Sequence, residues 1–412
     1  MGSLGISYLC GVATFGVLSQ LLYVLGASLA RWQVLLVCAV PACGAIRGIG
    51  AGRPVPRRPK TRLDLLAIPV VAVLALLAVD LWYQPLWAYD SWTFWTPKAH
   101  ALYALNGLDP GWFTSAGLIS KDYPLLLPSL EAAGFRFTGY ETGLLDLQSW
   151  LLYAAFVRAV YELGVNRARP AVLWAVLLML ALAPSALDQL AAAEADIPVA
   201  VFFAAAGLCL WTWLADRRPA GLVLAAVLAA GATATKVEGT MFVIGLFLVA
   251  AAFAARTSRG RAGAALVAGG VALVVGILPW RIWIADHHVA NQASFGRVTG
   301  ASFLAHHVAR VPISTGYLGV KLLDPRAWLL ILPLAVFVAV DAFRRGRRRE
   351  VSFVVAVACV ALAGLVLAYW STPFSFHDQL ATSARRVITA IVLFAAAMTP
   401  LLSADAEPAA PV

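Results

Sequence analysis

Long apolar runs and short polar interruptions alternate along almost the whole chain. The apolar runs cover residues 4–28, 33–50, 63–87, 144–164, 170–188, 197–214, 219–234, 240–255, 262–284, 326–343, 351–370 and 387–403. Most approach the roughly 20 residues that a helix needs to cross a bilayer. The pattern therefore predicts an all-α polytopic membrane protein with about twelve transmembrane helices. Two stretches break it. Residues 90–122 are too polar and too rich in Gly and Pro to span, and read as an external loop with interfacial helices. Residues 123–138 are apolar but short and contain Glu131 and Arg136, which reads as a re-entrant or interfacial segment. Were that segment to span, every later helix would reverse direction.

Charge turns the pattern into a topology. Basic residues collect in alternate loops: Arg47, Arg53, Arg57, Arg58, Lys60 and Arg62, then Arg167 and Arg169, Arg217 and Arg218, Arg256, Arg259 and Arg261, and finally Arg344, Arg345, Arg347, Arg348 and Arg349. By the positive-inside rule these loops and both termini are cytoplasmic, as expected for a multi-pass protein of a bacterial inner or plasma membrane. The domains follow: a helix pair at 1–50, a basic cytoplasmic loop at 51–62, a transmembrane domain at 63–403 with an external loop at 88–143, and a short cytoplasmic tail at 404–412. The first run lacks a basic leader and is followed closely by a second, so it reads as a retained helix, although Gly26-Ala27-Ser28-Leu29-Ala30 resembles a cleavage tract.

Composition excludes a soluble domain: 61% of residues are hydrophobic, 13% are charged, and the mean hydropathy is +0.82. The net charge of +10 would suggest nucleic acid in a soluble protein. Here it is confined to interhelical loops and acts as an orientation signal, so no nucleic-acid partner is expected. Cys10, Cys38, Cys43, Cys209 and Cys359 lie in or beside apolar runs without ligand spacing, and read as inert core residues. The adjacent pairs His287-His288 and His306-His307 have no acid at ligand spacing, so no metal is indicated.

The candidate chemistry lies at the external ends. Trp82, Tyr83 and Trp87 mark the headgroup level just before Tyr89-Asp90-Ser91-Trp92-Thr93-Phe94-Trp95-Thr96-Pro97-Lys98-Ala99-His100. A helix over 91–105 would place Trp92, Trp95, Ala99 and Leu102 on one face, suited to lying in the interface. The drawn topology gathers Asp90, Lys98, Lys121, Asp122, Glu194, Asp196, Lys236, Glu238, His377, Arg385 and Arg386 on the same side. Structural alternatives stay open for each. Asp90, Glu194 and Asp196 could cap helices, Lys98, Arg385 and Arg386 could snorkel, and Lys236 and Glu238 could form a solvated turn. Carboxylates facing cations suit a reaction in which a hydroxyl attacks carbon while a phosphate departs. A transporter would be expected to show broken helices or ionisable residues at the bilayer midplane in two matching halves, and the sequence shows neither.

Five stretches resemble, in order, landmarks of the bacterial C-type (GT-C) membrane glycosyltransferases, relatives of protein O-mannosyltransferases and of the aminoarabinose transferases of lipid A. They are Tyr89 to Ala99, Asp122-Tyr123-Pro124-Leu125-Leu126-Leu127-Pro128, Ala195-Asp196-Ile197-Pro198, Thr235-Lys236-Val237-Glu238-Gly239, and Ala381-Thr382-Ser383-Ala384-Arg385-Arg386. The resemblance runs over about residues 63–403 and implies the GT-C fold. It implies inverting transfer of a sugar from a polyprenyl-phosphate donor, at the external face, to a glycan, lipid or protein acceptor. By matching position Asp90 would be the base, and Glu194 or Asp196 a second acid. Lys98, Lys236 and Arg385 or Arg386 would bind the donor phosphate, and Trp92, Trp95, Lys121, Asp122, Tyr123, Glu238 and His377 would line the substrate cavity. The first loop carries one acid, Asp90-Ser91, where the wider superfamily often has two, so the resemblance brings no cofactor with it. A lipid-linked-sugar flippase or other transporter and a non-catalytic membrane scaffold are the competing classes. On this topology, a reporter fused after Arg349 is expected to read cytoplasmic and one inserted at Gly117 external; the opposite result at either site overturns the one-sided cluster.

Overall fold

The computed structural model describes residues 3–39, 61–115, 120–289 and 301–404. The second half of the 33–50 run, all but Thr61 and Arg62 of the basic loop, Gly117 and the C-terminal tail beyond Ala404 lie outside the described residues. Among the described residues every regular element is a helix.

Helix α1 spans Leu4–Val24, residues 31–39 are helical, and α2 spans Ala67–Tyr83. A π-helical turn, Ser91–Trp95, leads into α3, Thr96–Ala104. Then come α4 (Leu126–Thr138), α5 (Gly143–Gly164), α6 (Pro170–Leu182) and α7 (Pro184–Leu190). The middle of the chain supplies α8 (Asp196–Asp216), α9 (Pro219–Thr235), α10 (Val237–Ala255), α11 (Arg259–Gly276) and α12 (Leu278–Asp286). The last elements are α13 (Arg310–Leu322), α14 (Ile331–Arg344), α15 (Arg348–Ser371), α16 (Phe376–Val387) and α17 (Thr389–Leu402).

Among the described residues, seven helical stretches are long and apolar enough to cross a membrane, or eight if the bent pair α6–α7 is one crossing. That pair turns by 46° at Ala183, because Pro184 has no N–H for the ladder and disfavours helical geometry in the residue before it. Helix α4, the short apolar segment, has 13 residues and is about 20 Å long. The hydrocarbon core is about 30 Å thick. The run at 326–343 is interrupted at Leu329, whose φ is 53°, leaving α14 with 14 residues. The final run is preceded directly by the amphipathic α16.

The expectation of an interfacial face on residues 91–105 needs correction. Trp95, Ala99 and Leu102 are buried in the protein and Trp92 is 52% exposed, because the wider π turn at 91–95 breaks the three- and four-residue spacing. Helix α3 packs on α4 instead of lying flat on lipid.

Helix α8 is the centre of the bundle. Its membrane-length window is 100% buried, enclosed by α9, α17, α5 and α10. The corresponding window ending at Tyr83 is 11% buried, so α2 presents most of its apolar surface outward. Small residues allow the close approaches. A Cβ on Gly276 would collide with Thr233 and the Ala230 carbonyl, and one on Gly239 with the Ala232 carbonyl. The second contact tightens the α9–α10 hairpin that carries Lys236.

One buried polar side chain ties three elements at this end. Gln20, on α1, donates to the Gly276 carbonyl at 2.7 Å and accepts from the Leu125 N–H at 3.0 Å. It thereby holds both the α11–α12 break and the start of α4. Gln20→Leu would leave both backbone groups unpaired and is expected to cost about 1–3 kcal/mol, read as a lower Tm in detergent. An unchanged Tm would remove Gln20 from this role.

Candidate functional site

Four chain segments meet at one end of the bundle. Asp90 lies just before the π turn. Glu194 follows a left-handed Ala193 (φ 47°) between α7 and α8, and Asp196 opens α8. Lys236 is the extended residue (φ −150°, ψ 150°) between α9 and α10, and Glu238 sits in the first turn of α10. Arg386 is in the last turn of α16.

These side chains form a continuous ladder. Arg386 Nη1 donates to Asp90 Oδ2 at 2.8 Å and also to Glu194 Oε2. Glu194 and Asp196 are hydrogen-bonded to each other through their side chains. Lys236 Nζ donates to Asp196 Oδ1 at 2.8 Å and lies 3.6 Å from Glu238 Oε1. Neither Asp90 nor Asp196 uses its side chain as a helix cap. A small pocket lies beside the ladder, lined by Asp196, Lys236, Glu238 and Arg386 together with Val199, Phe242, Val387 and Ala390. Two buried polar atoms at this pocket have no hydrogen-bond partner, Arg386 Nε and Glu238 Oε2.

The ladder holds four carboxylates and two cations, so acid is in excess. Burial pushes Glu194 up to about 7, and Asp196 and Asp90 push in the same direction while Arg386 opposes them. Burial works against the charge of Lys236, but Asp196 and then Glu238 outweigh it and hold the ammonium above its usual pKa. Tyr123 is raised by its own burial and further by Glu238, which places its ring close to the lysine side of the ladder.

The remaining candidates are elsewhere. Lys98 is fully buried and donates to the carbonyls of Ser120 at 2.6 Å and Tyr123 at 3.1 Å, with Phe94, Trp95 and Tyr123 around its ammonium. Burial lowers it to about 7, against the pull of Asp122. It fastens the loop before α4 and does not reach the ladder's acids. Lys121 donates to the Ser115 carbonyl. Asp122 lies 4.0 Å from Arg281, and its carbonyl accepts from the Trp280 indole at 2.9 Å. Trp95 packs tilted against Phe94 and edge-on to Tyr123, whereas Trp92 is exposed beside Tyr89. Arg385 points to the exposed Asp188 at 3.8 Å, and His377 is exposed at the start of α16. Of the adjacent arginines, therefore, Arg386 alone joins the cluster.

Phe242, Val387 and Ala390 were not foreseeable as pocket residues, since an apolar residue in an apolar helix carries no local signal. Among the described residues no three His, Cys, Asp or Glu are grouped as a metal site. His287, His306 and His307 each engage the carbonyl four residues back. Comparison with known proteins finds no matching family model, no matching curated protein and no matching solved structure.

The raised Glu194 makes the site a proton store. Between about pH 4.5 and about 7 the folded protein holds a proton on Glu194 that the unfolded chain has released. Its contribution to stability is complete below that window and is lost as pH rises through it. Tm should fall more steeply across this window in the wild type than in Glu194→Gln, measured by thermal unfolding in detergent. Parallel slopes would mean that Glu194 titrates near its ordinary value.

Proposed function

We propose that this chain is an integral-membrane glycosyltransferase with the C-type architecture and about twelve crossings. It takes a sugar from a polyprenyl-phosphate donor to an acceptor hydroxyl at the external face, with inversion. The observation that carries the reading is Arg386 between Asp90 and Glu194, its Nε–H buried and unpartnered at a pocket that is polar on one side and apolar on the other. A lipid phosphate matches both halves: its oxygens suit the guanidinium, and its chain suits Phe242, Val387 and Ala390.

In this reaction the acceptor O–H loses its proton to Asp90, and its oxygen attacks the anomeric carbon. The bond from that carbon to the phosphate oxygen breaks, and the phosphate keeps the electron pair. Arg386 and Lys236 balance the charge that develops on it. Phosphate arriving at Arg386 competes with the carboxylates already there, so donor binding would free Asp90 to act as base. Glu194, protonated near neutral pH, can stay beside a phosphate without repelling it.

The arginine-rich loops would face the cytoplasm. They lie at the helix ends remote from the ladder, where Arg167 pairs with Asp216 at 3.1 Å and Arg345 with Asp341 at 3.0 Å.

Purified protein given a polyprenyl-phosphate sugar should release free polyprenyl phosphate, which neither a flippase nor a scaffold does. Asp90→Asn is expected to lower turnover by about two to four orders of magnitude while donor binding persists, because the amide keeps the shape but cannot take the proton. Wild-type turnover in Asp90→Asn at matched expression would exclude Asp90 as the base.

A further inference from the structure

Arg386 enters the ladder from α16, and the apolar packing of that helix does little to decide which way the arginine faces. The buried residues of α16 are Phe376, Leu380 and Ala384, a single stripe at four-residue spacing, and the one nearest Arg386 ends in a methyl group. A turn of one residue step, about 100°, would present Arg385 to the acids in place of Arg386.

Two hydroxyl contacts flank the arginine, at Ser383 before it and Thr389 after it. Ser383 meets the hydroxyl of Tyr369, in the last turn of α15, at 2.7 Å. Ser383 already donates its own proton to the Gln379 carbonyl at 2.6 Å, so it accepts from Tyr369. Tyr369 is buried, and the end of its helix is fastened by Arg310, which donates to the Thr372 carbonyl at 2.8 Å and lies over the Phe376 ring. On the other side Thr389, buried at the start of α17, donates to Gln189 Oε1 on α7 at 3.0 Å. The amide nitrogen of Gln189 is committed to the carbonyl and hydroxyl of Ser185, which leaves that oxygen as the acceptor. Residues three apart share a helix face, so Ser383 turns with Arg386. Ile388, at the junction, keeps right-handed helical geometry, so Thr389 turns with them.

We propose that Tyr369 and Gln189 are positioning residues for the site, clamping the rotation of the α16–α17 segment so that Arg386, and not Arg385, meets Asp90 and Glu194. The clamp stands on these hydrogen bonds; its consequence for donor binding rests on the glycosyltransferase reading. Tyr369 bonds to Ser383, Gln189 to Ser185 and Thr389, and Arg386 to Asp90 and Glu194. Neither positioning residue shares a hydrogen-bond partner with the arginine, so their effects on stability should add to its own unless they set its place.

Double-substitution cycles test this. Tyr369→Phe removes one hydroxyl and keeps the ring, and Gln189→Leu removes the acceptor. The fall in Tm caused by Arg386→Gln, measured in detergent, should be smaller in either background than in the wild type, because the arginine has already lost its place. Arg385→Gln should have the same effect on Tm in every background. With a polyprenyl-phosphate sugar, Tyr369→Phe should lose about tenfold or more in kcat/KM, and should cause no further loss once Arg386→Gln is present. If Tyr369→Phe does not fold, Ser383→Ala opens the same contact from its other side.

Additive losses of Tm in either cycle would overturn the proposal for that residue and leave its hydroxyl contact as packing alone. Absence of transfer in the wild type would instead defeat the glycosyltransferase reading and leave the unfolding cycles to decide the clamp.

Discussion

One guanidinium group holds this end of the molecule together. Arg386 binds carboxylates that lie 296 and 192 residues away in sequence, one from the loop after α2 and one from the turn before α8. Glu194 is almost wholly buried, whereas Arg386 and Asp90 keep about a quarter of their side-chain surface exposed. Removing one partner of a buried ion pair leaves a charge without compensation, which costs about 3–5 kcal/mol at full burial. The first loop, the central hairpin and the last helical pair are therefore held in register by the same few atoms that offer chemistry. A rearrangement at any of them is felt at the others.

The charge balance of the ladder follows from that register. Four acids converge on two cations in a site partly closed to water, and Glu194 is buried there with both Asp196 and Asp90 beside it. Its affinity for a proton comes first from burial and then from Asp196 and Asp90 beside it, with Arg386 opposing them. Lys236 is the reverse case: burial should discourage its charge, and Asp196 and Glu238 keep it charged. The site is thus set up so that cations are permanent and one acid is adjustable, an arrangement suited to receiving an anion.

The opposite helix ends use arginine differently. Arg345 and Arg347 donate to the carbonyls of Leu402 and Ala404, and Arg347 also to that of Leu401, which satisfies acceptors that a helix C-terminus leaves open. These two arginines of the basic cluster therefore have a structural use of their own. Lys98 provides a parallel near the ladder, where a cation in an aromatic surround grips carbonyls in place of an anion.

The sequence by itself determined that the chain is helical and built for a membrane. Burial in lipid requires long apolar runs whose backbone bonds close locally, and both properties can be read in one dimension. It also determined which residue types could act, because Asp90, Glu194, Asp196, Lys236, Glu238 and Arg386 are rare charges at the ends of apolar runs. What only the tertiary structure decided is which of the candidates meet. Arg385 and Arg386 are equivalent in sequence, yet one step along a helix turns a side chain by about 100°, and only Arg386 faces the acids. Lys98 and Asp90 are eight residues apart, yet the π turn between them sends the lysine inward to the loop carbonyls. Glu131 sits in a short segment that reads as re-entrant or interfacial and Asp146 in an apolar run, and only packing showed both fully buried. Long-range pairing depends on helix rotation and on local breaks, and neither leaves a mark on the pattern of apolar and polar positions.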